Sequence, residues 1–222
     1  MILPSPRETF GAMQQLWHSG QLWTNMFITF HRTMVGYAAA LTFGLLTALL
    51  LKACGFLRSL FRPIITVVQI IPPVIWVVFA VIWFGIADDL TPIFLIFIVT
   101  FPVVFLTIFS GLESVDAELV EMATFYRCSQ AKIIRAVFLP TLVPHFVSAV
   151  SLGVSFAWKS TIFAEFMGSS SGIGFAISMA NANLETEKLF AWAIVLILIM
   201  LVFEYGILTF VNKKVTRWKQ YG

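Results

Sequence analysis

Five apolar runs of about 20 residues constrain what this chain can fold into more than any other feature. A helix needs about 20 residues to cross a hydrocarbon core of ~30 Å, whereas a strand of a membrane barrel needs about 10. The chain is 11% charged, against about 25% in soluble domains. We therefore predict an all-α integral membrane protein with one transmembrane domain over residues 1–222. The predicted spans are residues 26–51, 64–86, 92–112, 142–166 and 189–211.

Residues 1–23 precede the first span and are too polar to cross the bilayer. Apolar side chains recur there at helical spacing, at Phe10, Met13, Leu16 and Trp17. This spacing predicts a short amphipathic helix, and tryptophan is typical of the membrane–water interface. We predict an outer interfacial helix that lies on the membrane or on the protein itself.

Basic residues collect in three of the segments that flank the spans. They are Lys52, Arg58 and Arg62 after the first span, Arg127, Lys132 and Arg135 after the third, and Lys213, Lys214, Arg217 and Lys219 after the fifth. The segments on the opposite side are acidic, with Asp88, Asp89, Glu185 and Glu187. Because Lys and Arg are enriched in cytoplasmic loops, the N-terminus is predicted to lie outside and the C-terminus in the cytoplasm.

Three prolines lie inside predicted spans, at Pro72, Pro73 and Pro102. Each removes a backbone donor, and in lipid the freed carbonyl must find another partner. These positions indicate spans that pack in a bundle or line a pathway, although a simple kink would also explain any one of them.

Residues 113–145 form the longest polar segment and are predicted to be cytoplasmic. Asp116 is predicted to cap a helix that begins near Ala117. Ser129 is predicted to cap a second short helix, which Pro140 ends. Two short helices that meet at an angle would form a knob suited to a groove on a soluble partner.

The chain carries no pattern typical of catalysis. No nucleophile lies beside a base, and no glycine-rich phosphate loop with a lysine is present, so any ATP is expected to bind to another chain. The three histidines lie on separate segments, which argues against a membrane-embedded enzyme, and the two cysteines lack the spacing of metal ligands. The alternative is a stand-alone transporter or channel, although the spans offer few polar groups for a coupling-ion site.

Ionisable residues inside the spans are candidates for a pathway or an ion pair, because such groups usually face a bundle interior or water. Lys159 could contact an anionic cargo, pair with Glu204 in the fifth span, or extend to the interface. Glu165 is expected near the outer interface, and Arg32 is expected to extend its head to that interface. The stretch GSSSGIG from Gly168 is expected to form a tight outer turn.

Several stretches together resemble the permeases of ABC importers. Glu121-Met122-Ala123, followed by Leu139-Pro140, resembles the EAA loop of that family, whose pattern is Glu-Ala-Ala, a glycine four residues on and a closing Leu-Pro pair. LPSP, IIPPVIWVVFAVIWFGIADDLTPIFLI, FPVVFLTIFSGLESVD, FAWKSTIFAEFMGSSSGIG and the basic C-terminus are similar to the branch that includes nitrate, sulfonate and taurine permeases. The resemblance covers nearly the whole chain. Members of this branch usually carry a further span before LPSP, the point at which this sequence begins.

The resemblance implies the type I importer permease fold in a bacterial cytoplasmic membrane. It implies a second copy of the chain, a cytoplasmic ATPase dimer that binds ATP and Mg²⁺ and grips residues 113–142, and an extracytoplasmic binding protein. It implies no cofactor on this chain and no nucleic acid. The implied coupling residues are Glu121, Met122, Ala123, Arg127, Ser129, Leu139 and Pro140. Glu121 would be the chief docking residue and Ala123 would allow close approach.

Arg127 departs most from the family pattern, because it stands where the family has a glycine. That glycine resembles a helix-ending residue with left-handed backbone angles. Arginine can adopt these angles at a modest cost, or its side chain can face an acidic patch on the partner. Met122 replaces the second residue of the motif, which is a milder change.

Overall fold

The computed structural model describes residues 3–86 and 89–219, with side chains throughout except at 204 and 207–219. Within these ranges the regular structure is helical, without a strand. The helices are α1 (Pro6–His18), α2 (Gln21–Ala53), α3 (Gly55–Ile70), α4 (Pro73–Phe84), α5 (Leu90–Glu113), α6 (Ala117–Phe125), α7 (Gln130–Ile133), α8 (Leu139–Gly168), α9 (Ile173–Ala182) and α10 (Thr186–Lys219). A π-helical turn, Ile134–Phe138, joins α7 to α8.

Four helical paths are long and apolar enough to cross a membrane: α2, α5, the path Gln130–Gly168 that includes α8, and the first part of α10. The bent pair α3 and α4 supplies a fifth crossing when it is counted as one span. The prediction of an all-α protein with about five spans is therefore confirmed.

The second span is not the single helix predicted over residues 64–86. It is divided into α3 and α4, whose axes differ in direction by 97°. The Pro72-Pro73 pair causes the break, because neither residue donates a backbone hydrogen bond and the residue before them is forced into an extended conformation. The indole Nε1 of Trp76 donates to the carbonyl of Val68 at 3.4 Å. This bond satisfies one backbone group that the break leaves free.

The core of the bundle is α5, which packs against α2 on one side and α8 on the other. Small buried residues recur at every fourth position of α2, at Gly36, Ala40, Gly44 and Ala48. A Cβ atom on Gly44 would lie 2.7 Å from Cγ1 of Val104, and one on Gly36 would lie 2.7 Å from Cβ of Ile96. The small residues therefore let the two backbones approach closely, as is common between membrane helices.

The first helix rests on the protein through its buried residues. Ser5 and Glu8 form a capping box at its start, and the bond from the Ser5 backbone N–H helps to lower the pKa of Glu8. Ala12 and Leu16 belong to a buried cluster that includes Trp192 of α10. The outer end of α10 is thereby covered by α1.

Candidate functional site

The cytoplasmic segment begins with the capped helix that the sequence predicts. The backbone N–H of Glu118 donates to the Asp116 carboxylate at 2.8 Å, and α6 starts at the next residue after the cap, Ala117. None of the nine residues of α6 is buried. This helix therefore projects from the bundle instead of packing into it.

The predicted docking residues lie on this projecting helix. Glu121 and Met122 are exposed and Ala123 is half-buried. An aromatic pair that sequence reasoning missed follows them: Phe125 is 84% exposed and Tyr126 is 72% exposed. The sequence did carry a signal for this exposed pair, because two adjacent aromatic residues are unusual in so polar a segment.

The bend after α6 is a Schellman motif centred on Arg127. The backbone N–H of Cys128 donates to the carbonyl of Ala123 at 3.0 Å, and that of Arg127 donates to Thr124 at 2.9 Å. Arg127 has φ +54°. The predicted left-handed conformation is therefore present without the glycine.

The helix that begins after Ser129 does not end at Pro140, so that prediction is wrong. Helical structure continues from Gln130 through the π-helical turn into α8 and on to Gly168. The backbone N–H of Leu139 reaches the carbonyl of Ile134, five residues earlier. The wider turn lets the helix pass Pro140, whose missing N–H would interrupt a regular α-helix.

Because the helix is continuous, the bend at Arg127 is the one corner between α6 and the span formed by α8. Ser129 marks the start of that helix, although its side chain makes no capping hydrogen bond to another described residue. Leu139 is exposed and lies directly before Pro140 on the same continuous helix.

The two ends of the cytoplasmic segment meet between α5 and α8. The hydroxyl of Ser114 lies 3.4 Å from Nε2 of His145. A Cβ atom on Gly111 would lie 2.6 Å from the His145 side chain, so the glycine makes room for the ring. The segment therefore leaves and rejoins the bundle at neighbouring points, and α6 lies between them on the exposed part of the segment.

At the outer end of the bundle, Arg32 is buried instead of extending to the interface as predicted. Its side chain is 2% exposed, and Nη1 donates to Oε1 of Glu165 at 3.1 Å. The other edge of the guanidinium donates to Oδ1 of Asp89, with Nε at 2.7 Å and Nη2 at 2.5 Å. Burial becomes possible because the charge is paired on both edges.

Glu165 is fully buried, which corrects the expected interfacial position. Its Oε2 accepts hydrogen bonds from the Thr29 hydroxyl at 2.8 Å and from the backbone N–H of Gly174 at 3.0 Å. The second bond places the carboxylate at the positive end of α9. Gly172 has φ +99°, and a Cβ atom there would lie 2.3 Å from the carboxylate carbon.

The stretch around Gly168 forms the predicted tight turn, between α8 and α9. Arg32 donates to the hydroxyls of Ser169 at 3.0 Å and Ser171 at 2.7 Å. It also donates to the carbonyl of Ser171 at 2.8 Å. Arg32 therefore joins α2, the start of α5, the end of α8 and this turn; we call these contacts the outer cluster, formed by Arg32, Asp89, Glu165, Ser169 and Ser171.

Lys159 lies on the exposed face of α8, away from the outer cluster. It forms no ion pair with another residue whose side chain is described. The predicted alternative of a pair with Glu204 falls on a side chain outside the described residues. Lys159 and Glu165 do not pair: Lys159 is exposed, whereas Glu165 is fully buried and bonded to Arg32.

A family model described as "Binding-protein-dependent transport system inner membrane component" matches residues 40–217 of this chain. The taurine transport system permease protein TauC of Escherichia coli (strain K12) is 26% identical, over 98% of this chain and 80% of the relative. The putative aliphatic sulfonates transport permease protein SsuC of Bacillus subtilis (strain 168) is 27% identical, over 98% and 78%.

Solved structures share the fold at lower identity. An inward-facing structure of the MetNI methionine ABC transporter superposes with a TM-score of 0.68 at 17% identity, covering 86% of this chain and 93% of that one. A structure of an amino acid ABC transporter with histidines superposes with a TM-score of 0.73 at 16% identity, covering 92% and 97%.

Proposed function

The chain belongs to the family of binding-protein-dependent transport system inner membrane components, and from this premise we propose that residues 113–142 are its docking site for a cytoplasmic ATPase. The family makes the chain the membrane permease subunit of an ABC importer. The observation that carries the docking site is α6, which buries none of its residues yet presents apolar side chains to water. Exposed apolar surface of this kind marks a protein interface.

The residues of α6 and its C-terminal cap, Tyr126, have complementary roles in this docking site. Phe125 and Tyr126 are the anchors, because large aromatic side chains dominate interface energetics. Glu121 is the polar docking residue beside them, and Ala123 keeps that part of the helix small enough for close approach. Met122 adds a flexible apolar contact.

The bend sets the direction in which α6 transmits force. Arg127 fixes the corner, and beyond Ser129 the helix runs without interruption past Leu139 and Pro140 into α8. A displacement of α6 by the ATPase therefore reaches the membrane through one continuous helix. ATP and Mg²⁺ bind to the ATPase in this scheme, and this chain holds neither.

A second copy of the chain completes the pathway, and an extracytoplasmic binding protein delivers the cargo. Lys159 supports the placement of the pathway along α8, since a lysine in a span usually faces water or another protein surface and not lipid. Two relatives are named for taurine and for aliphatic sulfonates. Small organic sulfonates are accordingly the first cargo class to test with the partner binding protein, by thermal-shift ligand profiling.

Co-purification tests the docking site. The tagged chain is expected to bring down an ATPase, and the double variant Phe125→Ala, Tyr126→Ala should weaken that association at least about tenfold. Phe10→Ala is the matched control, because Phe10 is an exposed aromatic residue on α1 at the outer face. The proposal fails if no ATPase accompanies the wild-type chain, or if both variants retain it equally.

A further inference from the structure

Helix α3 buries little of its surface against the other helices of the chain. Of its 16 residues, Ile65 alone is buried, and Leu57 is half-buried against the same core. Large apolar side chains along α3 are exposed, including Phe56, Ile64 and Val67. Within one chain, α3 therefore has few buried apolar contacts with the other helices.

Two arginines of α3 converge on the end of α5. Arg58 donates from Nη2 to Oε1 of Glu113, and Nη1 of Arg62 lies 3.7 Å from the same oxygen. The two guanidinium carbons lie 5.4 Å and 5.6 Å from the centre of the buried Phe109 ring, within range of a cation–π contact. We call this arrangement the Glu113 clamp; among the side chains that are described, it contains every ion pair joining α3 to another helix.

The Glu113 clamp lies at the start of the cytoplasmic segment, where the chain leaves the membrane-spanning helix α5. Glu113 is the last residue of α5, and Asp116, the cap of α6, follows three positions later. A displacement of α6 can therefore be transmitted to two helices. One is α8, through the continuous helix, and the other is α5, through its C-terminal end. From the end of α5, the displacement reaches α3 through the ion pairs of Glu113, and it reaches α4 through the 97° bend between α3 and α4.

We propose that Glu113 is a positioning residue for transport. Through its ion pairs, α3 and α4 move together with the cytoplasmic segment when the ATPase displaces that segment. This inference rests on the proposed docking of an ATPase at residues 113–142. The charged side chains of the clamp are 29–47% exposed, and ion pairs with this much exposure contribute little to stability. Removing the clamp is therefore expected to alter coupling while leaving the fold intact.

The test uses the full complex of this chain with its ATPase and binding protein, reconstituted in liposomes, with ATP hydrolysis and cargo uptake measured together. Glu113→Gln and the double variant Arg58→Gln, Arg62→Gln remove the clamp from either side. Lys52→Gln removes a cationic charge from the same end of the bundle and is the matched control, because Lys52 forms no ion pair with a described residue. The arginine variant, whose two residues lie outside the docking site, is expected to keep the ATPase bound and active while cargo moved per ATP falls about tenfold. Glu113→Gln is expected to show the same fall in cargo moved per ATP.

A second measurement asks whether the clamp stays closed during transport. Cysteines at 58 and 113 are joined by a short bismaleimide linker, in a chain whose Cys54 and Cys128 are replaced by serine. Before cross-linking, this variant lacks the clamp and should show the same loss of uptake. The cross-link should restore uptake, because it joins α3 to the end of α5 again. The proposal is overturned if the clamp variants transport normally, if the arginine variant loses the ATPase altogether, or if the cross-link fails to restore uptake. Failure of the wild-type chain to bind an ATPase would instead count against the docking site.

Discussion

Arg32 joins segments that are far apart in the sequence, since its two carboxylate partners lie 57 and 133 positions away. Replacing Glu165 by alanine would leave the buried guanidinium with only the exposed Asp89 as a counter-charge. We expect Glu165→Ala to lower the free energy of unfolding by about 3–5 kcal/mol, measured by thermal unfolding in detergent.

The matched control is Glu185→Ala, which removes the carboxylate of the exposed pair with Lys188. Exposed pairs of this kind contribute about 1 kcal/mol or less. Equal losses for the two variants would mean that the outer cluster contributes no more than a surface ion pair does.

Arg127 adopts a left-handed backbone conformation, which lowers the stability of the fold by about 1–2 kcal/mol for most residues. We expect Arg127→Gly to retain ATPase binding and to be as stable as the wild type, or more stable by about 1 kcal/mol. Arg127→Val should be less stable, since a β-branched side chain fits that conformation poorly. Loss of ATPase binding in the glycine variant would show that the arginine side chain matters more than the bend.

At the scale of elements, the contact between α2 and α5 depends on small residues. Gly44→Val would place side-chain atoms where Val104 already lies, and we expect a loss of about 1–3 kcal/mol. Gly55→Ala is the control, because a Cβ atom there meets nothing within 4 Å. Thermal unfolding of both variants in one detergent makes the comparison, and tolerance of valine at 44 would contradict the close approach.

The helices were largely predictable from the sequence, but their irregularities were not. Apolar runs predicted the number of spans, and Asp116 correctly marked the start of α6. The Pro72-Pro73 pair marked where the second span breaks, but the angle depends on how α3 and α4 pack. Pro140 was misjudged because a π-helical turn, which local propensity does not report, carries the helix past it.

The site was predictable only where it is local in sequence. The proposed coupling residues from Glu121 to Pro140 lie on one segment, so the family pattern was enough to name them as candidates. Arg32 could not be paired with Asp89 or Glu165, because only the packing of α2 against α5 and α8 brings them together. The Glu113 clamp was missed for the same reason, since its arginines served only as evidence for orientation.

At the scale of the whole molecule, the charge distribution predicts which ends of the bundle face the cytoplasm. A cysteine at Leu184, exposed in the turn between α9 and α10, should react with a membrane-impermeant maleimide in intact cells. A cysteine at Phe125 should react only after the membrane is opened. Both are placed in a chain with Cys54 and Cys128 replaced by serine, and the reverse labelling pattern would invert the orientation.

The central claim is that an ATPase drives this permease through residues 113–142. The most direct measurement is ATP-dependent uptake in liposomes that hold the chain and its ATPase, with the binding protein on the side opposite to ATP. The wild-type chain should show uptake that requires all three components, and Glu121→Lys should abolish both uptake and ATPase binding without loss of thermal stability. Uptake that proceeds without the ATPase, or that is unchanged in Glu121→Lys, would contradict the claim.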